Sequence, residues 1–211
     1  MEFQGYIERL KAVFICEKYD AEIKKAKQEF IAHGGELGNE IDGYEEALDI
    51  FFDWYLFERP QLREGLTPLI LFSRSNDLSD EDRKIYSDFL AYTHSIFIIR
   101  KSASNVKVMD IFSKKKYLVA GVPAALLEKG DMAEARLLLF RGEYRFSGAF
   151  CFYPESIHSI IKTEAAQARK TGAENFLPLI RKFRRLKTVW SRCSRMDVKK
   201  IYTLMEEGRL A

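Results

Sequence analysis

Ser95-Ile96-Phe97-Ile98-Ile99-Arg100, followed by Val106-Lys107-Val108-Met109-Asp110-Ile111, decides how this chain folds. The first run is dense in β-branched and aromatic residues. The second alternates apolar with polar, which is the period of a strand with one buried face. Ser113-Lys114-Lys115-Lys116 reads as a turn into Tyr117-Leu118-Val119. Gly130-Asp131 precedes the long run from Ala133 to Phe140. Arg141-Gly142-Glu143 then predicts a hairpin into Tyr144-Arg145-Phe146, and the region ends at Cys151-Phe152-Tyr153. Five short, mostly antiparallel strands within residues 93–153 predict a small barrel or strongly curled sheet. Leu126 to Glu134 can be read either as strand or as a helical turn.

On the N-terminal side, residues 1–92 carry the helix period instead. Tyr6, Leu10, Val13 and Phe14 fall on one face, and Ile23, Ala26, Phe30 and Ile31 repeat the pattern. His33-Gly34-Gly35 reads as a helix end, because glycine enters the left-handed conformation at low cost. Asp42 with Glu45 forms a capping box ahead of Leu48, Phe51, Phe52, Tyr55 and Leu56. Thr67-Pro68 is an N-cap followed by proline in the first turn, and Ser79 with Asp82 is a second box before Ile85 and Phe89.

Residues 154–211 return to helix. Pro154 opens a run through Ile157, Ile160 and Ile161 that Gly172 breaks. Phe176, Leu179, Ile180, Phe183, Leu186 and Trp190 then share a stripe, with Pro178 in the opening turn. Ser194 and Asp197 predict a box for a last helix holding Val198, Ile201, Tyr202 and Met205. The expected architecture is α+β: a helical N-terminal region, a central antiparallel barrel or curled sheet, and a helical basic C-terminus. No linker or repeat separates them, so one assembly is expected.

Charge is divided unevenly along the 211 residues. Residues 161–211 hold thirteen Lys/Arg against five Asp/Glu, while the preceding 160 hold twenty-one against twenty-six. The formal net charge of +3 thus conceals an acidic body and a basic C-terminal region, and a concentrated positive patch attracts polyanions. No apolar run approaches the roughly 20 residues that span a bilayer. The N-terminus has Glu2 and Glu8 where a secretory signal needs basic and then apolar residues. Cys16, Cys151 and Cys193 are odd in number and widely spaced, which fits reduced thiols. A cytoplasmic protein is the expectation.

The candidate contact surface is the helix from Phe176 to Arg192. Arg181, Lys182, Arg184, Arg185 and Lys187 lie opposite or beside the apolar stripe, with Arg192 at its end. Such a cluster can neutralise several phosphates and gives salt-dependent nucleic-acid affinity; the same geometry suits a membrane surface or the groove of an acidic protein partner. The plainer reading is an amphipathic helix docked on its own core, with a solvated basic face.

Other constellations point away from chemistry. His33, His94 and His158 are isolated and lack metal-ligand spacing, so each reads as solvent-facing or singly bonded. Thr93-His94-Ser95 sets hydroxyls beside an imidazole, but strand neighbours point to opposite faces, so this is a strand entry. Gly34-Gly35-Glu36-Leu37-Gly38 lacks the lysine and hydroxyl of a P-loop. Asp53 and Glu58 are five apart and read as surface positions or as local partners of Arg59. No cofactor and no metal are called for.

Phe52-Asp53-Trp54-Tyr55-Leu56-Phe57, Gly65-Leu66-Thr67-Pro68-Leu69, the two opening strands, Gly130-Asp131 and Phe146-Ser147-Gly148 occur in that order. The pattern resembles a body region of uncharacterised bacterial proteins, certain of which also carry a SEC-C zinc motif. It covers roughly residues 45–155 and implies a bacterial, cytoplasmic helix-plus-barrel protein. The Cys/His cluster of the zinc motif is missing here, so the resemblance transfers no active site.

The expectation for function is non-catalytic binding through the basic C-terminal helices, with nucleic acid the leading ligand. The competing class is a protein-interaction or scaffold module, in which the apolar stripe packs on a partner or on a second copy of the chain. An enzyme with a site that no motif marks is the third reading.

Overall fold

The runs around Ile98 and Val108 form β1 (Thr93–Ser102) and β2 (Asn105–Asp110), paired antiparallel with Ile99 opposite Val108. The computed structural model describes the chain except residues 36, 38–43, 62–63, 103–104, 123–126, 194 and 211, and the side chains of 101, 102 and 105. β3 (Lys116–Val119) lies beside β2, and β4 (Met132–Phe140) joins β5 (Glu143–Tyr153) in a hairpin. β4 returns to the far side of β1, giving the order β1-β2-β3-β5-β4. The circle is completed by one parallel pairing, Val119 with Tyr144. With so thin a seam, the unit is a curled sheet whose edges meet.

Period-2 alternation fills its interior with Phe97, Ile99, Val106, Val108, Tyr117, Val119, Leu137 and Phe146. Each such side chain contributes roughly 1.5–3 kcal/mol by burial. The β4–β5 turn has both central residues in the left-handed region, Arg141 at φ 49° and Gly142 at φ 86°. That twist matches the strands it joins, as in a type I′ hairpin.

Eight α-helices occur among the described residues. They are α1 (Phe3–Phe14), α2 (Asp20–Ala32), α3 (Tyr44–Phe57), α4 (Pro68–Ser73), α5 (Asp80–Phe89), α6 (Glu155–Lys170), α7 (Leu177–Arg192) and α8 (Val198–Glu206). α3 packs on β5, α5 on β4 and α7 on β1. A second core forms there from Phe51, Tyr55, Leu56, Phe89, Ile96, Leu138, Ile161 and Phe183. Val13 and Ile31, expected on buried faces, are instead 38% and 49% exposed, because each stripe turns just past them.

Two of the expected caps form as the sequence reads. Thr67 Oγ1 accepts the Ile70 N–H at 3.4 Å, and Ser79 Oγ accepts that of Asp82 at 3.1 Å. At α8 the cap is Asp197 itself, whose carboxylate accepts the N–H groups of Lys199 and Lys200 at 2.9 and 3.2 Å. Asp197 is therefore the N-cap itself and not the closing residue of a box opened by Ser194, which lies outside the described residues. So does Asp42 of the Asp42–Glu45 box.

Candidate nucleic-acid interface and the ionic chain beneath it

The stripe of α7 is buried in the protein's own core: Ile180, Phe183, Leu186 and Val189 are all 4% exposed or less. It is not a free surface for a partner helix. The six cations expected on the opposite side do not share one face. Arg184 follows Phe183 at the edge of the stripe and is only 8% exposed. Its guanidinium grips Glu134 of β4, Nε donating to Oε2 at 3.1 Å and Nη2 to Oε1. This corrects the placement of Arg184 among solvent-facing phosphate contacts. Its charge is spent inside the fold.

Lys187 Nζ donates to Glu46 of α3 at 2.9 Å and lies 3.5 Å from Cys151 Sγ. Lys182 Nζ sits 3.0 Å from Glu206 and 3.5 Å from Glu164, over the ring of Tyr202. Arg181 is half-buried, whereas Arg185 and Arg192 are exposed. Lys182, Arg184 and Lys187 are thus paired with acids of the same chain. Exposed cations continue beyond it at Arg195, Lys199 and Lys200.

Beneath α7 runs a chain of buried charge that the sequence reading missed. Glu134 also accepts a hydrogen bond from Tyr153 at 3.3 Å and faces His94 Nε2 at 2.9 Å. The other ring nitrogen of His94 lies 2.5 Å from Glu58 Oε1. Arg136 Nη2 donates to the same Glu58 oxygen at 2.5 Å, and its Nη1 reaches Asp53 Oδ2 at 3.4 Å. Ser147 donates its hydroxyl to Asp53. The order Arg184–Glu134–His94–Glu58–Arg136–Asp53–Ser147 ties α7, β4, β1, α3 and β5 together.

Local geometry explains the convergence. Glu134 and Arg136 are two apart on β4 and so share its outward face, and His94 is the register partner of Arg136. The β4–β5 register shifts between Ala135 and Leu137, setting Arg136 and Ser147 at an irregularity. Bulges of this kind re-aim side chains. Three expectations are corrected here. Asp53 is buried rather than at the surface, and Glu58 bonds Arg136 rather than Arg59. His94, with its side chain 5% exposed, is held from both ring nitrogens. Arg59 turns the other way, to Glu22 at 2.5 Å and Glu29 at 2.6 Å.

The carboxylates respond differently to burial. At Asp53 desolvation dominates and raises its pKa, since its contact with Arg136 is long. At Glu58 desolvation pushes the same way, but the charges and hydrogen bonds of Arg136 and His94 together outweigh it and hold the carboxyl well below the usual range. Glu134 is held low against desolvation in the same manner, by Arg184 and His94.

Every acid in this chain is engaged by a base or donor of the protein, so its chemistry is cohesion. Glu58 also borders an open cleft of about 470 Å³, whose walls include His33, Trp54, Gln61 and Arg181. Among the described residues no group of three His, Cys, Asp or Glu is arranged to hold a metal, and no helix is long and apolar enough to cross a membrane.

No curated protein and no solved structure matches the chain. The model of DUF7986, described as a family of unknown function, matches residues 15–175, which takes in α2 to α6 and all five strands. α7 and α8 follow the matched segment. With well over half of its length covered, the chain belongs to the DUF7986 family.

Proposed function

We propose that the protein is a non-catalytic nucleic-acid-binding protein that presents α7 and α8 to phosphate. The observation that carries this reading is a set of exposed cations, Arg185, Arg195, Lys199 and Lys200, that have no acidic partner among the described residues. Unpaired cations of this kind displace the counterions condensed on nucleic-acid phosphates, so affinity rises as salt falls. Arg184 and Lys187 are positioned to hold α7 on the core instead, and orient the exposed residues that follow. The three cysteines are free, which suits a reducing, cytoplasmic setting.

The test is anisotropy of a labelled single-stranded RNA at low and moderate salt, with the wild type and with an Arg185→Glu/Arg195→Glu/Lys199→Glu variant. Wild-type binding should weaken steeply with salt, and the variant should lose about tenfold or more in affinity at low salt. Absence of wild-type binding at low salt sinks the reading.

A further inference from the structure

Helices pack on β1, β4 and β5, whereas β2 and β3 turn their outer faces to solvent. The outward positions form two rows across the strands. Arg100 is opposite Lys107, which is opposite Leu118; Ile98 is opposite Met109, which is opposite Lys116. Arg100, Lys107 and Lys116 are exposed, and Leu118 is 56% exposed. The β2–β3 turn adds the exposed Lys114 and Lys115.

Glu128 and Asp131 lie in the segment bonded to Ile99, beside Arg100, but no ion pair between them and the cations of this face forms among the described residues. Residues 95–119 contain six Lys/Arg and one acid, Asp110. Asp110 is buried and already accepts hydrogen bonds from the Ser95 and Ser113 hydroxyls and the Phe112 N–H. Among the described residues, none of Arg100, Lys107, Lys114, Lys115 and Lys116 forms an ion pair. Arg169 of α6 reaches the same end of the sheet, donating to the Ile111 carbonyl at 2.6 Å. Partial burial, with the charges of Arg169 and Arg100, depresses the Lys114 ammonium below its ordinary value, against a smaller opposing effect of Asp110.

Like charges set directly opposite, as Arg100 and Lys107 are, destabilise a strand pair. An anion on this face relieves that repulsion, whereas a second copy of the chain would double it. Leu118 and the half-buried Met109 lie among the cations as an apolar track, while Ile98 beside them packs against the helix-side core. Unstacked bases can rest on such a track; a duplex keeps its bases stacked inside. We infer that the bare outer face of β2 and β3, with its connecting turn, is a second nucleic-acid contact surface, specific for single strands. Its cations Arg100, Lys107, Lys114, Lys115 and Lys116 take phosphates, and Leu118 and Met109 take bases. The inference rests on the nucleic-acid reading above and adds a surface that reading does not use.

The experiment titrates labelled poly(U) RNA and an RNA duplex across a salt series. It compares the wild type, Arg100→Glu/Lys107→Glu/Lys116→Glu, and the α7–α8 variant. The sheet variant is expected to bind poly(U) more weakly, with the slope of log K against log salt reduced by about 2, the value for three lost single-strand contacts. The wild type is expected to prefer poly(U) to duplex. Ultraviolet crosslinking of wild-type protein to 4-thiouridine RNA, mapped by mass spectrometry, should label the β2–β3 segment; this needs no variant and stands even if the triple substitution lowers the melting temperature. Wild-type affinity and slope in the sheet variant, together with crosslinks confined to α7 and α8, overturn the inference and leave the proposed function intact. No binding of either RNA by the wild type overturns both. Binding of phosphatidylserine vesicles without binding of RNA, lost in the sheet variant, assigns the face to a membrane and overturns both as well.

Discussion

Arg184 and Glu134 meet across the boundary between α7 and the sheet through two guanidinium hydrogen bonds, with 8% and 3% of their surfaces exposed. Arg185, the next residue, is exposed. Two arginines adjacent in sequence therefore do opposite work: one holds the helix and the other faces solvent.

Truncating the buried member should be costly. Arg184→Met leaves Glu134 without its guanidinium and is expected to destabilise the fold by about 3–5 kcal/mol, the cost of breaking a buried ion pair from one side. Arg185→Glu should change stability by no more than about 0.5 kcal/mol. Urea unfolding of both variants decides it; equal midpoints would contradict the buried placement of Arg184.

Acid should unfold the protein partly through the same chain. Glu58 and Glu134 have folded-state pKa values below the ordinary glutamate value of 4.5. Their contribution is therefore present above pH 4.5 and is lost as pH falls toward their folded values. Asp53 has the opposite sign: its pKa is raised, so its ionisation opposes stability as pH rises through the folded value. Glu134→Gln should thus be less stable than wild type at neutral pH and show a shallower loss of stability on acidification. Chemical unfolding measured across the acid range reads both effects, and an unchanged acid slope would remove Glu134 from the account.

Thiol reactivity should separate Cys16 from Cys151. Cys151 is buried, and burial pushes its pKa up to about 12 in spite of the neighbouring Lys187. Cys16 is exposed. A disulfide reagent at neutral pH should label Cys16 rapidly and Cys151 only when the protein unfolds, because the thiolate is the reacting species. Peptide mapping of the modified protein identifies the site, and fast labelling of Cys151 would show that the β5–α7 contact opens readily.

How far the site was legible follows from the range of each interaction. The N-caps at Thr67 and Ser79 and the Arg141-Gly142 turn depend on residues within three or four positions, so sequence alone locates them. The fate of Arg184 depends on Glu134, fifty residues earlier, and that of Glu58 on Arg136, seventy-eight residues later. No periodicity reports such a pairing. The sequence does carry one signal of it: Glu134 and Arg136 are charges two apart within a run of otherwise apolar strand residues, which demands partners on the face they share. The excess of lysine and arginine in residues 95–119 was equally visible, but only the register shows that Arg100, Lys107 and Leu118 form one row.

By itself, the sequence determined the order helices, curled sheet, helices, because apolar period and turn chemistry are local and act before any distant contact forms. Tertiary structure decided which charges belong to the interior and which to solvent. A cation on a helix edge or a strand has no fixed environment until the element opposite arrives with an acid or with nothing. Arg184 met Glu134 and was buried; Lys107 met Arg100 and stayed in water.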